Sequence, residues 1–390
     1  MKKNNTMLQS ARIKKSWTPE FVSKKVGVSL NTYIRWETGI QVPRPSSLSA
    51  LCNVFEMTPT ELGFADLSSE KKNGIDTVPG SQDEQASDGP LTHSSQSEAL
   101  ALWSSGITSC WQLYMVGSQT ELERLVPTYL TNLIRPTLRP GPDQPVAARL
   151  TAQAYQLLTL LELQRGDFVA AQKSSTQALI YSQLSKDWNL YVASQLRLAA
   201  VFSARKRVGS ALSSYNDALY RITATSDNIS PILHSWIFAG LSEIQASMGR
   251  EKEALQFLQL AFAVFPDEPE NDPSFSYTRC DRSLLYLYEG LIFLRLGQPK
   301  VAWDAFSQVD DLKPAPPERI RTEFLHQKAY TSCLLGNIVQ SCIYLEAAAR
   351  AAQEIESDLA FSEVYALYTH MLSLWGQETR VKALAQLFQQ

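Results

Sequence analysis

The sequence predicts an all-α protein in two parts: a bundle of five short helices near the N-terminus, then a right-handed α-solenoid of helical hairpins. Two observations predict it. Helix-start and helix-stop chemistry recurs along residues 7–64. Small side chains then recur at fixed distances from seven turn residues across residues 98–390. A chain of 390 residues, 44% of them hydrophobic, is long enough for two or three domains with sizeable cores.

In the first part, Leu8, Ile13 and Trp17 fit the apolar side of a first helix and its end. Thr18-Pro19-Glu20 starts a second helix over 19–26, with Thr as N-cap, Pro at the first helical position and an acid in the first turn. Gly27 supplies the turn. Ser29 caps a third helix that Gly39 ends. Val28, Tyr33 and Trp36 are spaced to face inward, leaving Leu30, Asn31, Ile34 and Arg35 on the other side. A fourth helix over 46–55 turns Leu48, Leu51 and Phe55 to one side, and Thr58-Pro59-Thr60-Glu61-Leu62 opens a short fifth.

Five short helices in this order, with Val26-Gly27-Val28-Ser29 at the turn, Arg35-Trp36-Glu37 before Gly39, then Pro43 and Leu62, resemble the XRE-type (phage-repressor-like) helix-turn-helix. The resemblance covers about one sixth of the chain. It implies a third helix lying in the major groove of DNA, with Leu30, Asn31, Thr32 and Arg35 at base edges. Arg35 suits guanine O6/N7, Asn31 an adenine edge, and Leu30 a thymine methyl. Ser29, Thr18, Lys14, Lys15, Lys24, Lys25 and Arg44 are the candidates for phosphate contacts, which position without specifying. The family usually has Gln where this chain has Pro19, and proline cannot replace that residue's hold on the phosphate backbone. Charge agrees with a DNA-facing head. Residues 1–64 carry nine Lys/Arg against four Glu, a net of +5, and the remainder 27 basic against 35 acidic residues, a net of −8.

The expected domains are 1–65 for the helix-turn-helix, 66–97 for a flexible linker rich in Ser, Gly, Asp and Pro, and 98–390 for the repeats. The turn residues of the repeats are Gly117, Gly166, Lys206, Gly249, Gly297, Gly336 and Gly376. Seven positions earlier stand Cys110, Thr159, Ala199, Ser242, Gly290, Ala329 and Thr369, all small. Five positions later stand Leu122, Ala171, Ala211, Ala254, Ala302, Ser341 and Val381, and twelve later Ala178, Ala218, Ala261, Val309 and Ala348 keep the pattern. Two antiparallel helices joined by a tight turn pack closely only where both faces are small, so the first set should meet the second. Phe168, Leu198, Leu241, Phe257, Phe293 and Phe306 would fill the space between neighbours. Residues 136–145 and 266–273 read as inserted linkers.

This register resembles tetratricopeptide (TPR) repeats, best at Gly166-Asp167-Phe168 and Gly249-Arg250-Glu251. Turn spacings of 49, 40, 43, 48, 39 and 40 exceed the usual period of about 34. The resemblance implies a concave groove lined by the first helix of each hairpin, holding Gln153, Gln156, Arg197, Glu243, Tyr288, His326, Gln327, Tyr330 and His370, where a peptide or protein partner binds.

An XRE head on a TPR body is similar to the peptide-responsive Rgg/PlcR/NprR-like group of bacterial quorum-sensing regulators. The expected function is therefore sequence-specific DNA binding by a cytoplasmic homodimer, regulated through the groove. The alternative is a TPR scaffold whose helix-turn-helix serves docking or dimerisation. No nucleotide-binding, metalloprotease or serine-hydrolase motif is present, so neither an enzyme nor a cofactor is expected. The cysteines Cys52, Cys110, Cys280, Cys333 and Cys342 lack CxxC spacing and the four histidines do not cluster with them, which speaks for reduced core thiols and against zinc. No stretch of about 18 uncharged apolar residues occurs and the first residues lack a signal-peptide core, so neither a membrane span nor secretion is expected.

Overall fold

The structure, a computed structural model, describes residues 5–15, 17–38, 41–43, 45–55, 57, 61–64, 93–224 and 229–389, apart from the side chains of 6, 31, 45, 46, 49, 93–97 and 224. The described residues are largely helical and contain no strand. The chain divides into two compact units, 1–87 and 88–390.

The first unit contains α1 (Thr6–Lys14), α2 (Pro19–Val26), α3 (Leu30–Glu37) and α4 (Pro45–Phe55). Each of the first three begins on a side-chain cap: Asn5 accepts from Leu8 N, Thr18 from Phe21 N and Ser29 from Thr32 N. Gly27 leaves α2 at φ 75°, which allows the tight turn into α3. Leu8, Val22, Tyr33, Trp36, Leu51, Phe55 and Leu62 form the core, and Trp17 seals it against Phe55 with ring centroids 5.5 Å apart. Ile13 does not join them; it is 59% exposed, and Ala11 packs beside Leu8 instead. On a helix, residues three apart share a face and residues five apart do not. Gly39 and Thr58-Pro59-Thr60 of the expected fifth helix lie outside the described residues, as does 66–92 of the expected linker.

The second unit is built of helical hairpins: α5 (His93–Val116) with α6 (Gln119–Leu138), α7 (Gln144–Gln164) with α8 (Phe168–Ser185), α9 (Trp188–Ala204) with α10 (Val208–Ala224), α11 (Pro231–Ser247) with α12 (Glu251–Val264), α14 (Arg282–Arg295) with α15 (Pro299–Ser307), α16 (Glu318–Leu334) with α17 (Ile338–Glu354), and α18 (Asp358–Trp375) with α19 (Thr379–Ala383). A short α13 (Phe275–Thr278) precedes α14. Six of the seven expected turn residues adopt positive φ, including Lys206 at 57°; Gly376 is the exception, at −62°.

The small-residue register is the packing contact between paired helices. Ser242 Oγ donates to the Ala254 carbonyl (2.6 Å), and Ser341 Oγ to that of Ala329 (2.9 Å). Thr159, Ala171, Ala199, Ala211, Ala302 and Val381 are all sealed from solvent. At Gly290 a Cβ would stand 2.1 Å from the Phe306 ring, so only glycine fits. Thr369, in the last hairpin, is exposed. Helix α6 continues through Pro136 to Leu138, two residues into the stretch expected as a linker. Among the described residues no helix is long and apolar enough to cross a membrane, and no three metal-ligating side chains gather.

Candidate functional site

The head presents one side of α3 and buries the other. Tyr33 and Trp36 are in the core, Leu30 is half-buried, and Ile34 and Arg35 face solvent. Arg35 makes no side-chain hydrogen bond or ion pair among the described residues, so its guanidinium donors are free for a ligand. The Thr32 hydroxyl lies 2.8 Å from Ser29 Oγ, so the two share one hydrogen bond at the start of the helix. Lys14, Lys15, Lys24 and Lys25 are exposed. Lys15 sits 5.0 Å over the Trp17 ring, and Lys25 lies 5.6 Å from Trp17 and 5.4 Å from Phe21, which restrains two of the four cations. Thr18 is exposed beside them. The Asn31 side chain and Arg44 lie outside the described residues.

Behind α3 is a polar cluster that the sequence reading missed. Glu37, 8% exposed, accepts from Arg12 Nε (2.6 Å) and Nη2 (3.1 Å) and from the Tyr33 hydroxyl (2.8 Å). Arg12 Nη1 also donates to the Trp17 carbonyl (3.0 Å). The hydrogen bond from Arg12 to Glu37 raises the guanidinium's affinity for its proton, and burial pushes the Tyr33 phenol far above its usual value. A fork-on-fork ion pair of this kind fixes α1 against α3 in one geometry. The available signal was a carboxylate beside Trp36, one turn beyond Tyr33, on the face expected to be buried.

In the second unit the nine expected groove residues separate into two groups. Gln156 is fully buried and donates to Ser194 Oγ (2.9 Å), so it belongs to the core rather than to an open groove. Arg197 is enclosed between Trp236 and Trp111, 4.7 and 5.6 Å from their rings, and has no acidic partner among the described residues. It donates to the Thr278 carbonyl (3.4 Å), and burial draws its pKa down. The Tyr288 hydroxyl accepts from Trp236 Nε1 (3.2 Å), and its own proton is held more tightly because it is buried. Glu243 accepts from Arg295 (2.5 Å), and Gln153 is half-buried.

Helix α5 closes over Arg197. Its Trp111 and Tyr114 reach Arg197 on α9 and Arg319 on α16; Arg319 Nε donates to the Tyr114 carbonyl (2.9 Å), with its guanidinium 4.2 Å from the Tyr114 ring. The two ends of the unit also touch. Thr120 N donates to Glu356 (2.8 Å), Arg165 to Asp358 (3.0 Å) and Ser357 to Gln164 (2.5 Å).

The remaining four residues share an open pocket. His326, Gln327 and Tyr330 of α16 and His370 of α18 line a cavity of about 580 Å³, completed by Leu291, Leu294 and Arg295 of α14 and Glu363, Ala366 and Leu367 of α18. The pocket therefore lies across the first helices of three successive hairpins, has an apolar portion and carries several hydrogen-bonding groups, as ligand sites do.

No curated protein matches the chain. Among solved structures, Bacillus thuringiensis PlcR, in a crystal structure with the peptide PapR7 and DNA, aligns at 13% identity over 86% of this chain and 99% of its own, with a TM-score of 0.38. Residues 8–62 match the family model described as Helix-turn-helix, and the N-terminal unit is a helix-turn-helix domain of the XRE type.

Proposed function

We propose that the chain is a cytoplasmic, bacterial, DNA-binding transcription regulator whose helical-repeat unit senses a peptide or protein ligand, in the manner of peptide-responsive quorum-sensing regulators. The observation that carries this reading is the outer side of α3. An N-capped helix, locked from behind by the ion pair of Arg12 and Glu37, holds Arg35 exposed and unpartnered at a base-reading position, with Lys14, Lys15, Lys24 and Lys25 available for phosphates. Operators of such domains are read by dimers, so a homodimer on two half-sites is part of the proposal. The ligand acts by differential affinity for two arrangements of the dimer, and DNA then alters ligand affinity by the same factor. No catalytic step is proposed.

The test is fluorescence anisotropy of the full chain on its own upstream DNA, titrated against salt, with Arg35→Ala alongside. Specific binding should weaken steeply with salt. Arg35→Ala should cost about 1–3 kcal/mol, or roughly 5- to 150-fold in Kd, with unchanged circular dichroism. Binding no tighter than to random duplex, and indifferent to the substitution, would leave the helix-turn-helix as a docking module on a scaffold.

A further inference from the structure

The pocket between α14, α16 and α18 has a charge balance that restricts what it takes. Its one lining cation, Arg295, is already paired with Glu243 at 2.5 Å. Its carboxylate, Glu363, has no ion-pair partner among the described residues. Glu323, one turn before His326 and Gln327 on α16, also has none and accepts only a neutral hydrogen bond, from Gln327 Nε2 at 2.9 Å. His326 is kept from protonating by burial. The pocket thus has one uncompensated carboxylate in its lining, Glu363, beside leucines and a phenol, with a second, Glu323, near enough to repel it. Desolvation, reinforced by repulsion from Glu323, pushes the Glu363 carboxyl up to about 7.

We propose that this pocket recognises a cationic group borne on an apolar segment: a peptide lysine or arginine, or a free peptide N-terminus, with the cation between Glu363 and the Tyr330 ring and its aliphatic neighbours on Leu291, Leu294 and Leu367. Three physical terms favour that occupant. A cation restores neutrality where carboxylates are held close together. The half-exposed face of Tyr330 attracts cations through its ring quadrupole. The apolar wall rewards the methylene stem or the flanking residue. An acidic ligand meets repulsion from both carboxylates and no free guanidinium. The proposal rests on the reading of this unit as a ligand sensor and adds the ligand's charge.

The test is isothermal titration calorimetry of the full chain with three probes: acetyl-Ala-Leu-Lys-Leu-Ala-amide and its analogues with norleucine or Glu in the central place. A fourth probe, Leu-Leu-Ala-amide with a free N-terminus, separates a terminal amine from a side-chain cation as the source of charge. The lysine or the free-amine probe should bind at least about tenfold more tightly than the norleucine and Glu peptides. That preference should vanish in Glu363→Gln, a near-isosteric substitution that circular dichroism can certify as folded. Affinity for the lysine probe, whose own charge is constant there, should also fall about five- to tenfold between pH 8 and pH 6, because a carboxyl titrating near 7 loses its charge in that window. Of the other groups around the pocket, His326 is held neutral by burial, His370 and Arg295 share its lining, and Glu243 and Glu323 stand beside them. Equal binding of all probes, preference for Glu, preference that survives Glu363→Gln, or no binding of any probe overturns the proposal. Each of these leaves the Arg35→Ala result on DNA standing, so failure of the charge assignment is separable from failure of the regulator reading.

Discussion

Arg35 can read a base edge only if α3 holds its angle, and a few side chains behind the helix determine that angle. Arg12 and Glu37 are about nine-tenths enclosed, so their attraction is weakly screened and both charges depend on each other for compensation. Glu37→Gln should therefore loosen α1 and α3 by about 3 kcal/mol, because it leaves the Arg12 cation enclosed without a counter-charge. The measurement is amide exchange of the full chain by mass spectrometry. Exchange in α1 and α3 should quicken by about 100-fold or more, while the helices of the second unit stay unchanged. Equal exchange in wild type and variant would mean the pair is solvated and weak. Sequence reasoning placed Tyr33 and Trp36 inward correctly because helical periodicity is local. It overlooked Glu37 because its partner is 25 residues away, and nothing in the pattern announces an ion pair across that distance.

At the scale of the element, the hairpins follow from the turn residue and the small positions on either side of it. These are short-range constraints, which is why Gly117 through Gly336 could be aligned on the sequence alone. Helix ends were less legible: Pro136 was read as a linker residue, yet α6 runs through it. Lys206 is the informative departure. It occupies a left-handed turn position that five other hairpins fill with glycine. A side chain with a Cβ pays roughly 1 kcal/mol for that conformation. Lys206→Gly should thus be neutral to stabilising by up to about 1 kcal/mol, partly offset by the greater freedom glycine gains on unfolding. A thermal melt that falls by several degrees would show instead that the Lys206 side chain holds the turn.

Across the whole of the second unit, the decisive contacts join residues that are distant in sequence. Arg319 meets Tyr114 across 205 positions, and Thr120 meets Glu356 across 236. No repeat register carries that information. For this reason the register places Arg197 in an open groove, where Trp111 of α5 in fact packs against it, while His326, Gln327, Tyr330 and His370 line the open pocket. The contacts also change how a repeat array should behave. A linear solenoid frays from its last hairpin inward, since each repeat touches only its neighbours. Here α16, in the sixth hairpin, is tied to α5 in the first, so loss of the tie should loosen both together. Arg319 is 7% exposed and both of its Nη atoms lack partners among the described residues, so its charge contributes little beyond the bond to Tyr114, and its stem and stacked plane contribute packing. Arg319→Met should keep that packing and leave stability within about 1 kcal/mol, whereas Arg319→Ala opens a void and should cost about 2–3 kcal/mol. In the alanine variant, amide exchange should rise concertedly in α5 and in α16 to α18, segments some 200 residues apart. A rise confined to α16 would mean that the ends fray independently and that α5 is held by its neighbours α6 and α7 alone.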